Sequence, residues 1–472
     1  MNTLFFPVAR VKLPPELKKM NSIFAANGFE AYLVGGAVRD MLLGKPASDW
    51  DVTTNALPED VMRMFHKVIP TGIAHGTVTV HFMQKEIEVT TYRTEAGYSD
   101  GRHPDSVSFT ATLQDDLSRR DFTMNAIAAS LSDGTIADPF AGREDIKNKI
   151  IRTVGNARDR FLEDGLRPIR ALRFSSQLDF VIQKDTYSAI FDGAVQEKIH
   201  GISIERFRDE FCKMLQSPVP SVGLHRMEET GVLAYFIPEL AAGRGVTQKD
   251  ARGFHEFDVL DHNIYACDGA PKDNLIVRIA ALFHDIGKTS TRTVEKKEID
   301  GQVFELIHFH GHETKSAQIA RDVLFRLKFS NAQIDEVCHL IQHHMFFFEQ
   351  NWSDAAVRRF IVRIGLENME NLFLLRYADI YGMHRVPVVA TSDTVKKLND
   401  LRDRIAKVEA EKSAHSLKDL AVNGKDLLAI GIPAGKQIGR ILNELFQCVL
   451  DDPAMNEREQ LLAVAGKLKE QI

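Results

Sequence analysis

The stretch from Tyr32 to Thr54 reads YLVGGAVRDMLLGKPASDWDVTT and places a glycine pair between an apolar start and an apolar-periodic segment. The apolar start predicts a short strand, and the segment Val38–Leu43 predicts a helix after Gly35 and Gly36. A strand, a glycine pair and a helix start aim unpaired backbone N–H groups at a phosphate. The stretch therefore predicts a phosphate-binding turn, with a plain glycine turn as the alternative.

Two aspartates alternate around a tryptophan at the end of the same stretch. Because alternate residues of a strand share one face, Asp49 and Asp51 are predicted to point the same way while Trp50 packs inward. Beside a phosphate, such a pair would hold Mg²⁺ between a nucleotide and an attacking hydroxyl. Glu88, on the predicted strand Glu86–Thr91, is a candidate third catalytic carboxylate. The alternatives are a solvated acidic strand and an ordinary exposed glutamate.

The composition is that of a globular protein with several domains. The chain has 472 residues, of which 44% are hydrophobic and 26% charged, and its length suggests about three or four domains. No apolar run approaches a membrane span, no signal core opens the sequence, and four scattered cysteines predict reduced thiols, so we expect a cytoplasmic protein. The net charge of −6 argues against nonspecific coating of nucleic acid, so an RNA ligand would need a local basic patch.

A second motif, RRDFTMNA, begins at Arg119. Arg119 and Arg120 can neutralise a triphosphate, and Asp121 can accept a hydrogen bond from a ribose hydroxyl, which would distinguish NTP from dNTP. Asn125 in this motif and Arg39 in the first stretch are further candidate nucleotide-binding residues. The alternative is a helix cap of mixed charge.

A third motif, RFLEDGLR, begins at Arg160 and contains Asp164 and Arg167 three residues apart, predicted to be neighbours on one helix. Cytosine and adenine both present an amino donor beside a ring-nitrogen acceptor, whereas uracil and guanine present the reverse order. An accepting carboxylate beside a donating guanidinium therefore fits C and A and rejects U and G. Arg160, Asp164 and Arg167 are all candidate nucleotide-binding residues. The alternative is a routine surface ion pair.

These motifs, with Asp138–Gly142 between them, closely resemble those of class II tRNA nucleotidyltransferases, the CCA-adding enzymes and their poly(A) polymerase relatives. The segment 93–118 resembles the flexible loop of the family, with Arg102-His103-Pro104 at its usual basic motif. The resemblance implies an α+β head with a mixed β-sheet, followed by a mainly α-helical neck, body and tail. It also implies that the tRNA 3′-hydroxyl attacks the α-phosphate of CTP or ATP, with Mg²⁺ as cofactor, and that pyrophosphate leaves.

Basic residues recur in the predicted helices beyond these motifs. Arg170, Arg173 and Arg206 resemble residues of the family's neck, and Lys436 lies at a predicted helix start in the tail. We expect these four residues to bind RNA, since helix starts and basic faces suit phosphates. The alternative for each is a solvated helix face.

Histidines and aspartates cluster between residues 251 and 385. His262, the doublet His284-Asp285 in HDIGK, and the distant Asp379 resemble the metal-ligand order of the HD phosphohydrolase superfamily. The resemblance implies a transition metal and hydrolysis of a small phosphoester, such as a 2′,3′-cyclic phosphate. Further histidines, His312 and His343, are expected to extend the site or simply to pack. The alternative is an HD domain that persists as scaffold.

The expected organisation is a nucleotidyltransferase head (1–150), a helical neck with an RNA-binding region (151–250), an HD domain (251–385) and a helical tRNA-binding tail (386–472). The expected function is template-independent CCA addition, with tRNA, CTP and ATP as partners and no membrane. Three alternatives stay open: A-only or poly(A) addition, a phosphodiesterase whose main activity lies in the HD domain, and a non-catalytic tRNA-binding protein. The sequence leaves the oligomeric state open.

Overall fold

The computed structural model describes residues 9–47, 49–96, 106–109, 112–249, 256–299, 302–349, 351–389, 392–410, 414 and 416–469. The chain forms two compact units, Met1–Pro238 and Glu239–Ile472. The predicted motif Arg102-His103-Pro104 lies outside the described residues, and the division into four domains stays a prediction. Over the described part of the chain, none of the helices is both long enough and apolar enough to cross a membrane.

The first unit contains a mixed seven-stranded sheet in the order β3-β4-β5-β2-β1-β8-β9. Its strands and the smaller pairs beside it are β1 (Ala31–Val34), β2 (Trp50–Thr54), β3 (Val68–Gly72), β4 (Thr77–Phe82), β5 (Lys85–Thr91), β6 (Arg93–Ala96), β7 (Ser106–Phe109), β8 (Ala128–Ser130), β9 (Ile136–Ala137), β10 (Ile150–Ile151) and β11 (Val181–Ile182). The pairing of β2 with β5 is parallel, and the other pairings in the large sheet are antiparallel. The predicted mixed sheet is therefore confirmed.

Alternation along β2 and β5 separates the core face of the sheet from its polar face. Trp50 pairs with Ile87 and Val52 with Val89, and all four side chains are buried. Between them, Asp51 pairs with Glu88. Since successive side chains of a strand point to opposite faces, burying the apolar residues brings the two carboxylates to the other face.

The helices of the first unit surround this sheet and continue into the neck. They are α1 (Pro15–Ala26), α2 (Gly36–Leu42), α3 (Pro58–Met64), α4 (Leu113–Ser118), α5 (Gly142–Lys147), α6 (Ala157–Glu163), α7 (Leu166–Leu178), α8 (Lys184–Ala189), α9 (Gly193–His200), α10 (Ile204–Leu215), α11 (Pro220–Glu229) and α12 (Val232–Phe236). The neck helix α7 packs against α10 and α11, and its residues are almost all buried. The helical neck is as expected.

The second unit is mainly helical and contains one antiparallel hairpin. Its elements are α13 (Pro238–Ala241), which begins at the boundary, α14 (Val259–Gly269), α15 (Leu275–Phe283), α16 (Lys288–Thr291), β12 (Thr293–Ile299), β13 (Gln302–His308), α17 (His312–Arg326), α18 (Asn331–His343), α19 (Asp354–Ile364), α20 (Met369–His384), α21 (Asp393–Ala410), α22 (Gly424–Ala429), α23 (Lys436–Asp451) and α24 (Arg458–Lys469). The apolar helix α15 packs against α14, α18 and α20 at the centre of its core. The predicted α+β head followed by helical segments is confirmed.

Candidate active site

A cavity of about 540 Å³ in the first unit brings together most of the residues of that unit that the sequence singled out. The predicted residues in its wall are Gly35, Gly36, Arg39, Asp49, Asp51, Arg120, Asp121, Asn125, Arg170 and Arg173. The neck adds Phe174, Gln177 and Lys213, which the sequence analysis did not assign to the site. The predicted residues outside this wall are Glu88, Arg119, Arg160, Asp164, Arg167 and Arg206.

The catalytic candidates are held by β2 and β5. Asp51 lies within β2, and Asp49 lies one residue before the strand, not within it as predicted. Glu88 faces Asp51 across the parallel ladder. Burial raises the pKa of the Asp51 carboxyl, the positive charge of Arg120 opposes this, and the negative charges of Glu88 and Asp49 add to the rise. A cation beside Asp51 would relieve that repulsion.

Gly35 allows a guanidinium and a carboxylate to approach the backbone at the start of α2. Its φ of 73° is one that side-chain-bearing residues rarely adopt. A Cβ at this position would lie 3.1 Å from Nη1 of Arg120 and 3.7 Å from Oδ2 of Asp51. The glycine that the sequence assigned to a phosphate turn therefore also makes room for Arg120 beside Asp51, a candidate catalytic carboxylate.

A hydrogen-bonded chain fixes Asp121. Arg39 donates from Nη1 to Oδ1 of Asn125 at 2.8 Å, and Asn125 donates from Nδ2 to Oδ1 of Asp121 at 3.1 Å. Arg170 donates from Nε to Oδ2 of Asp121 at 2.8 Å. Burial alone would raise the pKa of Asp121, but Arg170 and Asn125 outweigh it and lower the pKa to about 2. Asp121 is thus ionised and oriented, and a ribose hydroxyl would share its oxygens with Arg170 and Asn125.

Asp116, which the sequence analysis did not single out, anchors both arginines of the second motif. Its side chain is fully buried and accepts from Arg119 Nη2 at 2.7 Å and from Thr53 Oγ1 at 3.1 Å. Nη2 of Arg120 lies 3.6 Å from its Oδ2. Burial alone would raise the pKa of Asp116, but Arg119 and Arg120 hold it below its ordinary value. Its spacing of three and four residues before the arginines was the available sequence signal.

The predicted neighbours Asp164 and Arg167 do not lie on one helix, so that prediction was wrong. The extended backbone of Asp164 (φ −146°, ψ 114°) ends α6, and α7 begins at Leu166. The Asp164 carboxylate accepts from the Leu166 N–H at 2.9 Å and from Arg206 Nη2 at 2.7 Å. Arg167 instead pairs with Glu163, a residue that the sequence analysis left without a role.

Three further contacts hold this turn. Arg167 donates from Nη2 to the carbonyl of Arg119 at 3.1 Å, and Arg160 pairs with Glu163 at 2.9 Å. A Cβ at Gly165 would lie 2.1 Å from the carbonyl oxygen of Lys198, so α9 packs directly on the glycine. The turn between α6 and α7 is therefore fixed to both the second motif and the neck.

The arginines expected to bind RNA have other partners in the first unit. Arg170 and Arg173 line the cavity, and Arg173 pairs through Nε with Oε2 of the buried Glu210 at 2.5 Å. The guanidinium carbons of Arg170 and Arg173 lie 5.5 and 3.9 Å from the centre of the Phe174 ring. Arg206 pairs with Asp164, as described above. In the second unit, Lys436 is exposed at the first position of α23.

In the second unit, six buried side chains form what we call the histidine centre: His262, His284, Asp285, His312, His344 and Asp379. Nε2 of His262 lies 3.1 Å from Nε2 of His284, 3.2 Å from Oδ2 of Asp285 and 3.2 Å from Oδ1 of Asp379. Two groups of three have ligand atoms within 4.8 Å of one another: His262, His284 and Asp379, and then His284, Asp285 and His344. All four predicted ligands converge here.

The orientation of the rings suits a cation. Nδ1 of His284, His312 and His344 each meets a backbone carbonyl three residues earlier at 2.7–2.8 Å, so this nitrogen carries the proton and donates. In the neutral ring the lone pair is then on Nε2, and Nε2 of His312 lies 3.2 Å from a carboxylate oxygen of Asp285. Two acceptors at this distance need a proton or a metal ion between them. Burial alone would lower the pKa of His284, but Asp285 and Asp379 raise it to about 10.

His344 belongs to this centre, whereas His343 packs outside it, which is the second of the two outcomes expected for His343. His343 is the last residue of α18 and is half-buried, with its ring centre 4.6 Å from that of His339. His344 follows at the helix end and is buried beside His284 and His312. Adjacent residues of a helix differ by about 100° in direction, which the doublet alone could not resolve.

Sequence families match the chain in three places. Residues 31–152 match a family described as "Poly A polymerase head domain", residues 179–243 one described as "Probable RNA and SrmB- binding site of polymerase A", and residues 306–465 one described as tRNA nucleotidyltransferase domain 2. The CCA-adding enzyme of Enterococcus faecalis is 34% identical over 454 residues, which are 96% of this chain and 95% of that relative. The CCA-adding enzyme of Geobacillus thermodenitrificans is 35% identical over 453 residues, which are 95% of this chain and 96% of that relative.

The fold of the chain is also similar to solved structures of CCA-adding enzymes. The crystal structure of the Bacillus stearothermophilus CCA-adding enzyme in complex with CTP is similar with a TM-score of 0.73 and 32% identity, over 97% of this chain and 99% of that chain. A Thermotoga maritima CCA-adding enzyme complexed with tRNA has a TM-score of 0.58 at 19% identity, over 97% and 96% of the two chains, which supports the fold alone.

Proposed function

Because the chain belongs to the family of CCA-adding enzymes, we propose that it adds CCA to the 3′ end of tRNA from CTP and ATP and releases pyrophosphate. The observation that carries this proposal for the chain itself is the composition of the cavity in the first unit. It places Asp49 and Asp51 in one wall with the glycine pair, Arg120 and Asp121. Metal ligands, phosphate-neutralising groups and a ribose acceptor are thus available to one nucleotide.

The head residues fit a divalent metal, which nucleotidyltransferases of this family generally use. Asp49 and Asp51 present carboxylates to the cavity, and the raised pKa of Asp51 marks a site where added positive charge is favourable. We propose Mg²⁺ as the ion, held by these two residues with Glu88 on the adjacent strand, since Mg²⁺ prefers carboxylate oxygens. When bound, it lowers the pKa of the attacking 3′-hydroxyl and neutralises phosphate charge.

The side chains of the second motif would bind the nucleotide. Arg120, in the cavity wall, would neutralise the triphosphate, and Arg119 would support it from the shared contact with Asp116. Asp121 would accept the ribose 2′-hydroxyl while Arg170 and Asn125 hold its carboxylate in place. The Asp121 carboxylate is already ionised and oriented, so substrate binding requires little rearrangement of this group.

We propose that Asp164 and Arg167 select the base. The break between α6 and α7 lets an accepting carboxylate and a donating guanidinium leave the backbone from different elements. Their present partners, Arg206 and Glu163, would orient them before the base arrives. Pairing with the amino group and ring nitrogen of C or A would leave U and G with mismatched donors and acceptors.

One incubation tests the main proposal. The purified protein is given tRNA lacking the whole CCA end, with CTP, ATP and Mg²⁺, and the products are sequenced. We expect tRNA ending in CCA. A single A, or a run of A, from the same substrate would favour the A-only or poly(A) alternative, and no product with any NTP would favour the non-catalytic one.

The histidine centre favours a second function. We propose that it binds a transition metal through His262, His284, Asp285 and Asp379, as in an HD domain, and hydrolyses a small phosphoester such as a 2′,3′-cyclic phosphate. The support is the convergence of the Nε2 atoms of His262 and His284 on the buried carboxylates of Asp285 and Asp379, where a bound metal would take the place of the shared protons. The test is metal content and phosphodiesterase activity of the parent and of a variant lacking His284 and Asp285. A metal-free parent would leave the centre as scaffold.

Two further proposals concern the domain organisation of the chain and the cellular compartment in which it acts. We propose that 1–150 acts as the catalytic head, 151–250 as the neck, 251–385 as the HD domain and 386–472 as a tail that binds tRNA, with Lys436 at a helix start available to a phosphate. We also propose the cytoplasm as the site of action. Its support is that Cys212, Cys267, Cys338 and Cys448 are all free thiols, which suits a reducing compartment.

A further inference from the structure

Arg120 lies between two carboxylates with different tasks. Its Nη2 is 3.6 Å from Oδ2 of the buried Asp116. Its Nη1 is 3.1 Å from the point where a Cβ on Gly35 would stand, and Oδ2 of Asp51 is 3.7 Å from the same point, so the two groups lie within about 7 Å of each other. The negative charges of Asp116 and Asp51 both attract this guanidinium, so the two carboxylates compete for it.

Asp116 is well placed to win this competition. It sits on α4, four residues before Arg120. The Thr53 hydroxyl lies 3.1 Å from its Oδ2 and also 3.1 Å from the Thr90 carbonyl oxygen, so the one proton is shared between these two acceptors. Thr53 lies two residues after Asp51 on β2, so one hydroxyl ties the buried carboxylate to the catalytic strand. Arg119 donates to the other oxygen, Oδ1, from Nε at 3.0 Å and from Nη2 at 2.7 Å. Oδ2 is thereby left for Thr53 and Arg120.

We propose that Asp116 is a positioning residue that keeps Arg120 away from Asp51 and so leaves Asp51 free to ligate the divalent metal. After Asp116, Asp51 is the carboxylate whose charge acts most strongly on Arg120, so without the Asp116 charge Arg120 would move towards Asp51. An arginine paired with a carboxylate favours its ionised form over a cation-bound one, and such a charge shifts a carboxyl's proton affinity by about 1–3 pKa units. The same competition would weaken metal binding by about tenfold or more. This inference rests on the proposed metal site at Asp49 and Asp51.

The test measures Mn²⁺ binding by the full chain with electron paramagnetic resonance. The variant Asp51→Asn reports binding at every other site, including the histidine centre, and is subtracted. We expect Asp116→Asn to weaken the Asp51-dependent binding at least about tenfold. We expect the double variant Asp116→Asn with Arg120→Gln to return to within about threefold of the parent, because the competing guanidinium is gone. Asp115→Asn, on the same helix, removes an equal charge and should change binding less than twofold.

The results distinguish a failure of the proposed metal site from a failure of the positioning role of Asp116. If the parent shows no Asp51-dependent binding, the proposed metal site itself fails. If that binding is present and Asp116→Asn leaves it unchanged, or if Arg120→Gln brings no rescue, the positioning role is refuted. Thermal melting checks the fold. Should the single variant not fold, Asp116→Glu, which keeps the charge, is compared with the double variant, and a loss of metal binding in both would equally refute the role.

Discussion

Replacing Arg206 with glutamine should relax the choice of nucleotide and leave tRNA affinity intact. Arg206 donates from Nη2 to Oδ2 of Asp164 at 2.7 Å, and the two side chains are only 19% and 17% exposed. A hydrogen bond between such charged groups contributes about 1.5–3 kcal/mol. If that energy orients Asp164 for the amino group of the base, its loss lowers the preference for CTP over UTP roughly 10- to 150-fold.

The assay is single-turnover incorporation of CTP and of UTP into tRNA lacking CCA, with tRNA binding measured separately. Arg208→Gln is the matched control, because Arg208 lies two residues further along α10 and pairs with Asp209 near the surface. It should leave the ratio within about twofold. An unchanged CTP/UTP ratio in Arg206→Gln would refute the orienting role. A loss of tRNA affinity with an unchanged CTP/UTP ratio would instead indicate that Arg206 binds RNA, as the sequence predicted.

The other predictions concern the cavity and the histidine centre. Asp51→Asn should slow nucleotide addition by at least about a thousandfold, or 4 kcal/mol, with tRNA affinity unchanged, and a rate within tenfold of the parent would contradict the metal assignment. Arg167→Ala should lower the preference for CTP over UTP by about 1–3 kcal/mol in the same single-turnover assay, whereas equal slowing with both nucleotides would argue for a structural arginine. The fold lowers the pKa of Asp121 from an ordinary 3.8 to about 2, so the ionised carboxylate stabilises the folded protein above about pH 4. This contribution to the free energy of unfolding is lost as the pH falls towards 2. In Asp121→Asn, the free energy of unfolding should therefore fall less steeply over this pH range than in the parent. A variant with His284→Ala and Asp285→Ala should lose bound metal and phosphodiesterase activity but keep CCA addition, and unaltered metal content by elemental analysis would refute the ligand set.

Local patterns predicted the strand part of the site well. Alternation along Trp50–Thr54 and Lys85–Thr91 was sufficient to place Asp51 and Glu88 on the polar face, because burying the apolar partners leaves only one register. Asp116 was missed for the opposite reason. Its role depends on Thr53, 63 residues earlier in the chain, and on complete burial, neither of which is visible in a local motif.

Helix geometry accounts for the errors elsewhere. The spacing of Asp164 and Arg167 fits one helix, but Asp164 takes an extended backbone and its carboxylate caps the Leu166 N–H instead. A capping aspartate can begin a new helix where the spacing alone predicts continuity. Likewise, which of two adjacent histidines faces the centre depends on the direction of each side chain at the end of α18, and the doublet in the sequence does not reveal that direction.

The proposed chemistry and the proposed choice of base reside in different kinds of structure. Asp51 and Glu88 are fixed by strand pairing, whereas Asp164 and Arg167 extend from a turn between two helices. Under this proposal, substitutions in the turn would alter which nucleotides are accepted without disturbing the strands that hold the proposed catalytic carboxylates. Relatives that share this sheet could thus diverge in product, as the names poly(A) polymerase and CCA-adding enzyme suggest, while inheriting the same reaction. Selection would then act on the two properties through separate elements, as long as the contact from Arg167 to the Arg119 carbonyl is kept.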